Sequence, residues 1–208
     1  VVLDAMGWHE RAIRNPVFRP IQKVVAAGKL RHAKSHPQWV TADMADAPAE
    51  GAAMLPVLRA HPLIYERPSS SVPHISAFNF TREAFFDAAW DETNVRARGL
   101  FLDNETGRIV ARSYDKFFNL GERPETQLDA ICERFVFPVD VWLKENGYLG
   151  IVGFDHRTQE LVLTSKSSLE SDFAGWLKTR VTETLGEAGL PTLRRYVRDA
   201  QASLVFEV

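Results

Sequence analysis

Arg96-Ala97-Arg98-Gly99-Leu100-Phe101-Leu102, then Asp103-Asn104-Glu105-Thr106-Gly107, then Arg108-Ile109-Val110-Ala111-Arg112-Ser113 read as strand, loop and strand. The loop is short and polar, and Gly107 suits the positive φ that closes a hairpin. The same grammar returns further on. The apolar run after Gly147 reads as a strand, Asp155-His156-Arg157-Thr158-Gln159 as a hairpin loop, and Leu161-Val162-Leu163-Thr164-Ser165-Lys166 as the returning strand. Hairpin connections imply antiparallel pairing. Helices are expected at 81–89, capped by Thr81, at 126–134, and at 172–185, where Phe173, Trp176, Leu177 and Val181 share one face and Gly186 or Gly189 is the stop. A basic helix over 192–200 and a strand over 202–208 follow. The expected class is α+β: mainly antiparallel sheets with packed helices.

Upstream, residues 11–18 and 20–30 have helical character, and the second carries Ile21, Val24, Val25 and Ala27 on one face. Residues 42–53 are Ala-rich, and 54–61 read as a further helix. Arg67-Pro68-Ser69-Ser70-Ser71-Val72-Pro73 reads as a loop or linker. This predicts an unassigned N-terminal segment over 1–94 and a separate domain over 95–208.

The 208 residues are 45% hydrophobic and 25% charged, the composition of a soluble globular chain with one good core. No apolar run approaches the roughly 20 residues of a membrane helix, so no membrane partner is expected. The lone Cys132 excludes an internal disulfide and a cysteine-based zinc site, and a reducing cytoplasm is the natural compartment. The histidines lack metal-ligand spacing. A net charge of -2 leaves no overall nucleic-acid field, so a polyanion site must be a local basic patch.

Such a patch has candidates. Arg98, Lys116, Lys144 and Lys166 each sit at a predicted strand end with apolar neighbours. Each alone reads as surface charge. Together they suit a polyphosphate, Arg as a bidentate fork and Lys as a point charge. Lys144 lies between two apolar runs, and Gly147 three places later allows a turn or a close backbone approach. A lysine amine reacts only when neutral, and partial burial and neighbouring cations lower its pKa from about 10.4.

Arg98-Gly99, Lys116-Phe117-Phe118-Asn119, Lys144-Glu145-Asn146-Gly147, Ser165-Lys166-Ser167-Ser168 and Phe206-Glu207 occur in that order. The series resembles the ATP-dependent RNA ligases of the phage RNA ligase 1 type. The wording around Arg98 and Lys116 is similar to the ligase domain of fungal-type tRNA ligases. The resemblance covers 95–208 and implies a nucleotidyltransferase fold. It also implies Lys144 as a nucleophile that takes AMP from ATP, and transfer of that AMP to an RNA 5′-phosphate, which a 3′-hydroxyl then seals. By position it assigns Arg98 and Lys116 to phosphates, Phe118 to the pocket wall, Gly147 to close approach, Lys166 to a strand cation near the nucleotide, and Glu207 to the ribose hydroxyls. Mg²⁺ (or Mn²⁺) is the implied metal, and RNA and ATP the implied partners.

Three departures stand out. Asn146 and Ser167 replace the family's usual Asp and Gly, and the family's later E-G and K-x-K elements do not follow Glu207. A partial adenylyltransferase domain, truncated at its C-terminus, is therefore expected. A non-catalytic nucleotide- or RNA-binding module built on the same fold is the alternative. A DNA ligase or capping enzyme is a third reading, against which the Lys116-Phe117-Phe118-Asn119 block argues.

Overall fold

The computed structural model describes residues 47–134 and 146–208. The expected helices at 11–18 and 20–30, the apolar run before Lys144, and Lys144 itself lie outside the described residues. Two compact units are present. The described part of the first is 118–134 with Asn146. It holds a 3-10 turn at Pro124–Thr126 and helix α3 (Leu128–Arg134).

The second unit spans 47–117 and 147–208 among the described residues. Its elements before the first unit are α1 (Ala47–Ala60), β1 (Ile64–Pro68), β2 (Ile75–Phe80), α2 (Arg82–Phe86), β3 (Leu100–Asp103) and β4 (Ile109–Arg112). Those after it are β5 (Leu149–Asp155), β6 (Glu160–Ser165), α4 (Asp172–Ala200) and β7 (Leu204–Glu207). Every strand pair is antiparallel, in two sheets ordered β1-β2-β3-β4 and β6-β5-β7. The α+β class read from the hairpins is what the chain adopts, and Gly107 has the expected positive φ of 70°.

Strand alternation assembles these elements into layers. Leu100, Leu102 and Ile109 project one way from the first sheet and, with Phe78, meet Leu55 and Leu58 of α1. Ile75, Ala77, Phe101 and Val110 project the other way and meet Ile151 and Val162 of the second sheet. On that sheet's far side, Val152, Phe154 and Leu204 meet Leu177 and Val197 of α4. Strands buried on both faces therefore read as nearly continuous apolar runs. The sheets approach closely at Gly153, where an added Cβ would clash with the Val110 carbonyl oxygen and lie 2.6 Å from Ala111 Cβ.

One expected stop is kept and one expected burial is not. The long helix α4 is broken at Gly186 (φ 63°, ψ 173°), one of the two predicted stops. Its Phe173 and Trp176 do not join Leu177 in the core. They remain 46% and 53% exposed and pack edge-to-face on each other, centroids 5.2 Å apart, with Tyr148 alongside. Among the described residues no helix is long and apolar enough to cross a membrane.

Candidate nucleotide site

Three of the predicted cations lie in the second unit just outside its strands, each within four residues of a strand end. Arg98 precedes β3, Lys116 follows β4, and Lys166 is the first residue after β6. Strand ends fix backbone position while leaving long side chains free of the ladder, which suits cations that must converge.

Arg98 is held by its neighbours. The Phe80 amide donates to the Ala97 carbonyl at 2.8 Å, and the Ser113 amide to the Gly99 carbonyl at 2.9 Å. The Gly99 amide donates to Asn79 Oδ1 at 3.2 Å. The segment before β3 is thus tied to the ends of β2 and β4. The Arg98 Nη1 donates to Ser113 Oγ at 3.0 Å and reaches the Tyr114 carbonyl at 3.4 Å, while the guanidinium lies 5.3 Å from the Phe117 ring centroid. The Lys116 amide donates to the Val95 carbonyl, and its Nζ to the Phe117 carbonyl at 2.6 Å, 5.3 Å from the Trp90 ring.

Lys166 stands on a clasped turn. The Ser168 carbonyl accepts from Thr164 Oγ1 at 2.8 Å, from the Ser165 amide at 3.0 Å and from Ser165 Oγ at 3.1 Å. Two residues on, Glu170 accepts from Ser168 Oγ and reaches across to the β1–β2 loop, where Ser69 Oγ, Ser71 Oγ and the Ser70 and Ser71 amides all donate to it. Those hydrogen bonds outweigh the partial burial that opposes them and hold the Glu170 carboxyl down to about 2. The Lys166 Nζ lies 4.7 Å from the Phe80 ring centroid.

The electrostatics show convergence. Lys166 is exposed by surface area, yet the protein around its ammonium pushes its pKa below the ordinary lysine value, and the charges of Arg98 and Lys116 push it further. Burial likewise lowers Arg98, and the carboxylate of Glu207 opposes that shift. The ring contacts agree: Lys116 over Trp90, Trp90 against Phe80 and Lys166 over Phe80 bring these two lysines together, Arg98 lies over Phe117 next to Lys116, and the Glu207 carboxylate acts on Arg98. Like charges this close raise the free energy of the empty site and favour a polyanion.

Gly147 belongs to the same region. A Cβ there would meet the Val208 carbonyl oxygen at 2.5 Å and Glu207 Cγ at 3.3 Å, so its lack of a side chain lets the chain pass against the end of β7. Paired amide–carbonyl bonds between Tyr148 and Val208 hold this approach. Phe118 belongs to the other unit, where the Arg123 guanidinium stacks 4.6 Å from its ring centroid. Lys144 lies outside the described residues. Sequence reasoning missed Asn79, Ser113 and Glu170, which position the cations. They are ordinary polar residues in no motif, and only the fold brings them to Gly99, Arg98 and the Lys166 turn.

A family model described as RNA ligase matches residues 96–208, over half of the chain. Tested against curated proteins, the chain is 39% identical over 77 residues to a tRNA ligase 1 from Schizosaccharomyces pombe and 41% identical over 75 residues to a tRNA ligase from Candida albicans. These matches cover 35% and 36% of this chain but only 10% and 9% of the relatives, so the chain spans about a tenth of the length of the curated relatives it matches.

Proposed function

The chain belongs to the RNA ligase family of the phage RNA ligase 1 and fungal tRNA ligase type, and on that premise we propose that it is the adenylyltransferase part of an ATP-dependent RNA ligase with a nucleotidyltransferase fold. The observation that carries the reading is the gathering of Arg98, Lys116 and Lys166 around one site with Glu207 at its edge.

In this reading ATP is a substrate. Arg98, Lys116 and Lys166 hold its phosphates, and the Glu207 carboxylate accepts from the ribose hydroxyls. The neutral Lys144 amine attacks the α-phosphorus: a P–N bond forms, the bond to the β-phosphate oxygen breaks, and pyrophosphate leaves. An oxygen of the RNA 5′-phosphate then takes the AMP from the lysine, and a 3′-hydroxyl displaces AMP to seal the strand. Phosphoryl-type transfer of this kind is mostly positioning and charge stabilisation. Among the described residues no group of three His, Cys, Asp or Glu side chains could hold a metal. Mg²⁺ or Mn²⁺, the metal the family resemblance implies, would offset charge on the nucleotide phosphates. RNA or tRNA repair is the biological use this chemistry supports.

Asn146, where the family usually has Asp, favours the second reading, a non-catalytic nucleotide- or RNA-binding module built on the same fold. Incubation of the full-length protein with α-labelled ATP and Mg²⁺, followed by denaturing electrophoresis, separates the two. A covalently labelled band supports the ligase. ATP binding without a labelled band supports the module.

A further inference from the structure

Next to the cation site lies a chain of aromatic rings that runs from the half-buried Phe80 and Trp90 to open solvent. Phe80 packs edge-to-face on Trp90 at 4.9 Å, Phe85 on Trp90 at 6.4 Å, and Phe85 on Phe86 at 5.6 Å. Its inner end touches the site: Lys166 lies over Phe80 and Lys116 over Trp90. Its outer end is bare, with Phe85 51% and Phe86 77% exposed.

The local structure explains this presentation. Thr81 caps α2 by accepting from the Ala84 amide at 3.3 Å, and Ala84, fully buried, anchors the helix. At about 100° per residue, burying Ala84 turns the next two side chains away from the core. A larger core-facing residue was available in either phenylalanine, yet the anchor is the smallest of the three.

We propose that Phe85 and Phe86 are a stacking platform for unpaired bases of single-stranded RNA, next to the strand end being joined. The inference rests on the ligase reading for the identity of that end. Base stacking on aromatic rings beside a cationic groove is the general mode of single-strand binding, in which cations track the backbone and rings take the bases. Charge on α2 sorts the two. Glu83 and Asp87 flank the exposed rings and outnumber Arg82 there, so phosphate is drawn instead to Lys116 and Lys166 at the inner end. The platform lies before residue 96, outside the family match.

The test measures the anisotropy of a short, dye-labelled, 5′-phosphorylated single-stranded RNA titrated with full-length protein, beside ATP labelling without RNA. Replacing both rings (Phe85→Ala with Phe86→Ala) should weaken RNA binding roughly tenfold or more, since each base stack contributes about that much. Phe86→Leu should also weaken it and Phe86→Trp should retain it, because leucine keeps apolar bulk without a π-face. RNA with abasic terminal nucleotides should bind wild type as weakly as the double variant binds intact RNA. Unchanged RNA affinity in the double variant overturns the platform, as does unchanged affinity with loss of a concentration-dependent dimer, which would assign the rings to a second copy of the chain. Absent ATP labelling with ring-dependent RNA binding would instead count against the ligase reading and leave the platform standing.

Discussion

Glu170 and Ser71 are bonded twice across nearly a hundred residues of sequence: the Ser71 amide donates to Glu170 Oε1 at 3.2 Å and Ser71 Oγ at 2.9 Å. The pair ties the β1–β2 loop to the turn that carries Lys166. Because the folded carboxyl is held at about 2, below the ordinary Glu value, its contribution to stability is complete above the unfolded pKa and is lost as pH falls through the folded one. Wild-type stability should therefore decline between about pH 5 and pH 2 in part through this group. Glu170→Gln should remove on the order of 1 kcal/mol at neutral pH, a modest figure because the group is partly exposed, and should flatten the acid limb. Urea titrations across this pH range check it. Parallel pH profiles for the two proteins would count against the linkage.

Asn79 is buried, and its Oδ1 is the acceptor for the Gly99 amide beside Arg98. Asn79→Ala leaves that buried amide without its partner, which should cost about 1–3 kcal/mol. Chemical denaturation measures the loss. A change under a few tenths of a kcal/mol would mean the bond does not hold the segment.

Both findings bear on what the sequence revealed. The hairpins 100–112 and 149–165 were legible because their loops carry turn residues between apolar runs, and α2 was legible because Thr81 caps it. Strands β1 and β2 were not. Pro68, Ser69 to Ser71 and Pro73 look like a linker, and β2 is buried on both faces, so Ser76 and Asn79 sit inside with no alternation to expose the pattern. The order of Arg98, Lys116, Lys166 and Glu207 was legible through family resemblance. Their convergence depends on long-range pairing that no local pattern encodes. Helical periodicity likewise grouped Phe173 and Trp176 with Leu177 but could not say where the buried face ends.

Removing one cation should trade stability against binding. Lys166 is strained electrostatically by Arg98 and Lys116. Lys166→Met should leave the melting temperature of the nucleotide-free protein unchanged or raised, since repulsion is relieved. The same variant should bind ATP at least about tenfold more weakly, as expected when a charge-assisted phosphate contact worth roughly 1.5–3 kcal/mol is lost. Differential scanning fluorimetry with and without ATP reads both. A destabilised variant with normal ATP binding would place Lys166 in a structural role.

The most direct measurement is ATP labelling of full-length Lys144→Arg beside wild type and Lys144→Ala. Arginine keeps the charge but stays protonated at any working pH and cannot attack phosphorus. The account predicts a covalent AMP band in wild type and none in either variant, with ATP still bound by Lys144→Arg. A band of wild-type intensity in Lys144→Arg would contradict it and place the nucleophile elsewhere.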